Sequence, residues 1–326
     1  MADSGKCVIA VTGASADAPP PGLLPAPKDC ELRFIESREQ LARDAADADV
    51  VFAWQPRLDW VEANWGWSPR LRWIAVAAAG VDWLLFPALA GSDVVVTNSA
   101  GIFDDAMAEY AVALVSAVCA DLATTIRFQA SRRWRHRETR RLAGSDVLVV
   151  GAGGIGRAIA RLFNRLGANV RCVARTARAD PELGQIAALE QLPALLPAAD
   201  FVVLVLPLTP QTEHVIGAPE LALLRDDAWL VNLGRGRLVD EAALTAALTS
   251  RAIGGAALDV FTSEPLPADS PLWDLPNVIV SPHMSGDSLG WDTALTGLFR
   301  AQLARYQAGE PLANVVDKQL GYVPTR

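Results

Sequence analysis

The sequence predicts an α/β chain with two doubly wound parallel-sheet domains, and three observations carry that expectation. Short β-branched and aliphatic runs alternate with stretches of helical spacing, which implies parallel strands joined by helical crossovers. The run Val147-Leu148-Val149-Val150 enters the turn Gly151-Ala152-Gly153-Gly154-Ile155-Gly156 and leaves it with apolar residues at helical spacing. The length, 326 residues, is enough for two cores.

Taken in order, residues 7–11 read as a first strand and 32–35 as a second, separated by a proline-rich loop over 19–27 that suits neither helix nor central strand. Ser37 is placed as an N-cap with Gln40 three residues on, opening a helix expected to end near Ala48. Strands at 50–54, 71–76 and 94–97 complete a first unit that lacks a glycine-rich phosphate turn. Residues 105–122 read as one long apolar helix. Residues 127–141 hold seven arginines with Trp134 and His136, and read as a connector lying against a second subunit. A solvated basic face and a nucleic-acid patch are the alternatives. Strands then follow at 168–174, 201–206, 229–233, 255–260 and 278–281, with helices at 241–249 and 288–307. The expected partition is 1–99, 100–286 and 287–326: a substrate domain interrupted by a dinucleotide-binding domain, with a final helix returning to the first.

The bulk numbers exclude several classes. With 29 basic and 37 acidic residues the net charge is 29 − 37 = −8, which argues against nucleic-acid or anionic-membrane partners. Cys7, Cys30, Cys119 and Cys172 are scattered without metal-ligand spacing, so reduced thiols are expected, with no metal and no disulfide. The apolar run over 110–120 is too short to span a bilayer, and residues 1–6 have no signal-peptide layout, so the expected compartment is the cytoplasm.

Each glycine of the turn has a mechanical reason. Gly151 permits a sharp bend, Gly153 lets the backbone approach a pyrophosphate, and Gly156 lets helix and strand pack closely. The helix N-terminus then offers N–H groups and a positive dipole end to the phosphates. At the end of the next strand, where a carboxylate would grip a ribose 2′-hydroxyl, the chain has Ala174-Arg175-Thr176-Ala177-Arg178. A guanidinium and a hydroxyl suit a 2′-phosphate, so NADPH is predicted over NADH, with Arg175 and Thr176 as main contacts and Arg178 as a weaker one. A solvated arginine cluster is the alternative.

Three later strands each end on a side chain with chemistry: Arg235 between two glycines, Glu264 a few residues beyond residue 260, and His283 directly after the last strand. The carboxyl edge of an open parallel sheet is where ligands bind. These types match 2-oxo acid reduction, in which hydride reaches a carbonyl carbon and a proton must reach its oxygen. A histidine, with an ordinary pKa of about 6.5, donates at neutral pH; a buried carboxylate favours its charged form, and an arginine holds the substrate carboxylate and polarises the carbonyl. Taken singly, a histidine after Ser-Pro and a glutamate before proline are as readily structural; their joint placement points to chemistry. His136 and His214 read as surface residues.

These residues carry a resemblance. Gly151 to Gly156, Leu206-Pro207-Leu208-Thr209-Pro210-Gln211-Thr212, Val231-Asn232-Leu233-Gly234-Arg235-Gly236, Leu258-Asp259-Val260-Phe261 with Glu264-Pro265-Leu266, and Ser281-Pro282-His283 together resemble the D-isomer-specific 2-hydroxyacid dehydrogenase family over nearly the whole chain. The resemblance implies a Rossmann domain inserted in a flavodoxin-like substrate domain, a homodimer, and Arg235, Glu264 and His283 as the catalytic set. It also implies that Gly154, Ile155, Leu206 and Pro207 line the cofactor, that Asp259 lies by the nicotinamide carboxamide, and that backbone N–H groups of Ala79, Gly80 and Val81 bind the substrate carboxylate. Trp54-Gln55-Pro56 and the tail from Gly309 to Tyr322 resemble the bacterial NADPH-preferring glyoxylate/hydroxypyruvate reductases within that family, with Trp54 as a pocket wall or an ordinary packed tryptophan. Tyr110, where many members have histidine, and Asp287, where a neutral residue is commoner, depart from the pattern. A relative acting on bulkier 2-oxo acids and a non-enzymatic dinucleotide-sensing protein are the rival readings.

Overall fold

A computed structural model describes residues 6–55 and 59–324. Residues 1–5, read above for a signal layout, and Pro56 lie outside the described residues. The chain divides into two compact units, Met1–Phe103 with Leu289–Arg326, and Asp104–Ser288.

The first unit is a five-stranded sheet: β1 (Cys7–Thr12), β2 (Cys30–Ile35), β3 (Val50–Ala53), β4 (Trp73–Val76) and β5 (Val95–Thr97). All neighbours are parallel, in the order β2-β1-β3-β4-β5. That is a doubly wound, flavodoxin-like order. Every residue of β3 and β4 is buried, as expected for strands covered on both faces. The C-terminal helix Trp291–Gln307 supplies part of that cover, with the Phe299 ring stacked on Phe52 at 4.1 Å between centroids and 7° between planes. Trp73 lies 5.5 Å away on the neighbouring strand. Ser37 caps the helix Arg38–Asp44 as expected, accepting from the Gln40 N–H at 3.3 Å. The helix stops short of Ala48 because Ala45 already has φ −128°, although its N–H still reaches the Leu41 carbonyl.

The second unit is an eight-stranded sheet: β6 (Asp146–Val150), β7 (Asn169–Ala174), β8 (Arg178–Asp180), β9 (Gly184–Ala188), β10 (Phe201–Leu204), β11 (Trp229–Asn232), β12 (Gly255–Leu258) and β13 (Val278–Val280). The order is β13-β12-β11-β10-β6-β7-β9-β8, parallel except for β8 against β9. Strand order reverses between β6 and β10, the topological switch point where open α/β sheets bind ligands. Alternate residues of one strand enter opposite cores: Leu148 and Val150 join Leu244 and Leu248, while Val147 and Val149 join Ile159 and Phe163.

Two features depart from the expectation. The long helix ends at Cys119; Asp121 takes the left-handed conformation at φ +47°, and a second helix, Leu122–Ala130, continues at 64° to the first. The second helix buries none of its residues, so its first residues extend the apolar run without belonging to the same face. The β8–β9 hairpin was not anticipated because Arg178-Ala179-Asp180 has no strand-like apolar alternation. Among the described residues no single helix is long and apolar enough to cross a membrane.

Phe299 is 3 % exposed and fills the space between Phe52 and Trp73. Phe299→Ala is expected to destabilise the first unit by about 3–5 kcal/mol in urea denaturation followed by tryptophan fluorescence. An unchanged midpoint contradicts this packing.

Candidate active site

The glycine turn joins β6 to the helix Gly154–Arg165. Gly151 has φ +120°, and a Cβ on Gly156 would lie 1.7 Å from the Gly151 carbonyl oxygen, so neither position admits a side chain. A Cβ on Gly153, the N-cap of that helix, would by contrast project into open space. The N-terminus of a twelve-residue helix whose N-cap is a glycine, with open space where a side chain would stand, fits a pyrophosphate. Gly154 is exposed, Ile155 half-buried, and the space a Gly154 Cβ would take is held by the Asp104 carboxylate. Leu206 borders the turn but is itself buried, while Pro207 is half-buried.

Arg175 and Thr176 are exposed at the carboxyl end of β7. Arg178 stands closer to the turn than anticipated, since its Nη2 donates to the Ala152 carbonyl at 3.3 Å. The hairpin carrying it is fastened to the dinucleotide helix by charge. Arg157 binds Asp180, and Arg157 and Arg161 both reach Glu182. The Arg157 guanidinium, with the Leu183 and Glu182 N–H groups, holds the Asp180 carboxyl well below the usual carboxylate range.

Arg235, Glu264 and His283 follow β11, β12 and β13, three strands adjacent in the sheet. Their loops are welded together. A Cβ on Gly236 would lie 1.9 Å from the Phe261 carbonyl carbon, so the arginine's neighbour runs directly against the backbone leading to Glu264. Glu264 Oε1 accepts from the Phe261 N–H at 2.9 Å, and Oε2 meets His283 Nδ1 at 2.7 Å. The glutamate side chain is 14 % exposed and the histidine 37 %. An acceptor on Nδ1 fixes the proton there, so the nitrogen that can exchange a proton with a ligand is Nε2. Arg235 is half-buried; its Nη1 donates to the Gly234 carbonyl at 2.9 Å, and its own carbonyl accepts from Asn232 Nδ2 at 2.9 Å. Such an arrangement can hold an anion on a guanidinium and deliver a proton from an oriented imidazole.

Asp259, expected beside the nicotinamide, is fully buried, and its carboxylate accepts from Ser281 Oγ, Met284 N and Ser285 N. Partial desolvation raises the Asp287 carboxyl, with the nearby His283 opposing it. In the first unit, Trp54 directly follows β3 with its ring 5.8 Å from Phe52. The Ala79 carbonyl accepts from Asn98 Nδ2 at 2.6 Å, Gly80 is half-buried, and Val81 is buried. His136 and His214 are exposed. Among the described residues no cluster of His, Cys, Asp and Glu could hold a metal ion, and all four cysteines are thiols.

The family model described as D-isomer specific 2-hydroxyacid dehydrogenase, NAD binding domain, matches residues 112–285. A glyoxylate reductase of Korarchaeum cryptofilum is 31 % identical over 90 % of this chain and 84 % of its own length. A glyoxylate/hydroxypyruvate reductase B of Pectobacterium carotovorum is 36 % identical over 74 % of this chain and 78 % of its own. Among solved structures, an NADPH-dependent glyoxylate/hydroxypyruvate reductase from Sinorhizobium meliloti, in complex with NADP and sulfate, superposes with a TM-score of 0.85 at 29 % identity, covering 97 % of this chain and 100 % of that one.

The Arg157–Asp180 pair makes a prediction about acid stability. Because the folded-state pKa of Asp180 is depressed, the pair stabilises the fold above the ordinary carboxylate value of about 3.9 and loses that contribution as pH falls towards the folded value. Arg157→Met is expected to lower the thermal midpoint at pH 7, with the gap to wild type narrowing below pH ~3. A gap of equal size at both pH values contradicts the linkage.

Proposed function

The chain belongs to the D-isomer-specific 2-hydroxyacid dehydrogenase family, and we propose that it reduces a short 2-oxo acid of the glyoxylate or hydroxypyruvate class to the D-2-hydroxy acid with NADPH. It is an NAD(P)-dependent oxidoreductase. The observation that carries the reading is the 2.7 Å contact between His283 Nδ1 and Glu264, beside a loop that presents Arg235.

A reduced nicotinamide dinucleotide held by the turn from Gly151 to Gly156 would supply hydride for the carbonyl carbon. Arg235 holds the substrate carboxylate and draws electron density towards the carbonyl oxygen. His283 passes its Nε2 proton to that oxygen as charge develops there. Glu264 keeps the ring in one orientation and compensates the imidazolium before transfer. In this reading residues 100–286 form the dinucleotide domain, and residues 1–99 with 287–326 form the substrate domain. The turn from Gly151 to Gly156, with Leu206 and Pro207, serves the dinucleotide, and Trp54, Ala79, Gly80 and Val81 serve the substrate. Arg175 and Thr176 hold the 2′-phosphate with Arg178 beside the turn, in keeping with the NADP bound to the Sinorhizobium meliloti reductase. Four free thiols, among them Cys7 and Cys30 side by side on β1 and β2, suit a reducing cytoplasm. A homodimer formed through the helix Asp104–Cys119 and the arginine segment completes the reading.

NADPH absorbance loss against glyoxylate, hydroxypyruvate, pyruvate and phenylpyruvate tests the substrate class; fastest turnover with phenylpyruvate contradicts it. His283→Ala is expected to lower kcat by about 10²–10⁴-fold, and full turnover in that variant overturns the mechanism. Arg175→Ala is expected to raise the KM for NADPH by about tenfold while leaving that for NADH within twofold, in line with loss of one charge-assisted contact. An unchanged cofactor preference removes Arg175 from the account.

A further inference from the structure

His283 sits in a backbone conformation that side chains rarely adopt, φ +54°. Such a residue persists only where its surroundings over-determine it. The ring is held by Glu264, but that bond does not fix the turn of main chain on which the ring is mounted. A different carboxylate does. Asp259, at the end of β12 and fully buried, accepts from Ser281 Oγ at 2.5 Å and from the Met284 N–H at 2.9 Å through Oδ1, and from the Ser285 N–H at 2.9 Å through Oδ2. The three donors flank His283 on both sides, so one anion gathers the whole turn.

Ser281 has one hydroxyl proton, and it is committed to Asp259. The 2.6 Å contact between Ser281 Oγ and Tyr110 Oη therefore has the tyrosine as donor. Tyr110 lies on the helix Asp104–Cys119, 171 residues away in sequence. The relay is rigid at the sheet as well: the Asp259 N–H donates to the Asn232 carbonyl at 3.0 Å and the Ser281 N–H to the Leu258 carbonyl at 2.8 Å. A buried carboxylate that loses one donor either draws its remaining donors into new positions or admits water, and both move the turn.

We propose that Tyr110 and Ser281 are positioning residues for His283, acting through the buried carboxylate of Asp259. The phenol suits this place because its one O–H donates to the Ser281 hydroxyl, whose own proton is already committed to Asp259. The catalytic consequence rests on His283 being the proton donor, as proposed above; the geometric consequence does not. Displacing a proton donor by a fraction of an ångström to an ångström costs up to about 100-fold in rate without weakening the cofactor site.

The test uses Ser281→Ala, Ser281→Thr and Tyr110→Phe in the full chain, with His283→Ala as the reference for the mechanism. Steady-state turnover of hydroxypyruvate with NADPH is paired with amide hydrogen exchange in peptides covering residues 283–286. Ser281→Ala is expected to lose about 10–100-fold in kcat with the KM for NADPH within twofold, and to speed that exchange about tenfold or more. Tyr110→Phe should do the same to a smaller degree, and Ser281→Thr, which keeps the hydroxyl, should restore both readouts. Wild-type exchange in Ser281→Ala and Tyr110→Phe overturns the proposal, as does a fall in kcat that tracks thermal midpoint alone and that Ser281→Thr does not rescue. Faster exchange with unchanged kcat, alongside full turnover in His283→Ala, sustains the positioning role and counts against the mechanism instead.

Discussion

One contact organises the second unit: a glutamate carboxylate against the Nδ1 of a histidine mounted in a left-handed turn. An imidazole 37 % exposed on a bent loop has many orientations open to it, and the neighbouring side chain, 14 % exposed, removes most of them. The backbone helps to bring that carboxylate to its place. Glu264 is steadied by the Phe261 N–H, and the Phe261 backbone is pressed against Gly236, whose predecessor is Arg235. Arginine, acid and imidazole thus come from three neighbouring strands whose parallel registry sets their spacing.

Much of this was legible in the sequence because strong local signals carried it. Buried parallel strands appear as uninterrupted aliphatic runs, and β6, β10, β11 and β12 lie within the ranges read from those runs or extend them by a residue at most. The glycine spacing around Gly151 and Gly156 announces a strand, a turn and a helix, since the contacts found there exclude side chains. The positions of Arg235, Glu264 and His283 at strand ends were readable for the same reason.

What was not legible depends on contacts between residues distant in sequence or on elements without apolar periodicity. The β8–β9 hairpin is held by Arg157, Arg161, Asp180 and Glu182, so its signal is charge pairing between a helix and a turn some twenty residues on. The break at Asp121 came without glycine or proline, from an aspartate in the left-handed region. Tyr110, Ser281 and Asp259 meet across 171 residues, a contact that no local pattern announces. Asp259 reads from its motif as lying by the nicotinamide; that its carboxylate gathers the turn bearing His283 depends on Ser281, Met284 and Ser285, more than twenty residues on, and nothing close to Asp259 in sequence announces it.

The central claim is that the Glu264 carboxylate orients the proton donor during the chemical step. It is tested most directly by the single-turnover rate of NADPH oxidation at saturating 2-oxo acid in Glu264→Gln, measured beside the NADPH dissociation constant. The account predicts a rate about 10–100-fold below wild type with unchanged NADPH affinity. A wild-type rate in that variant would contradict it.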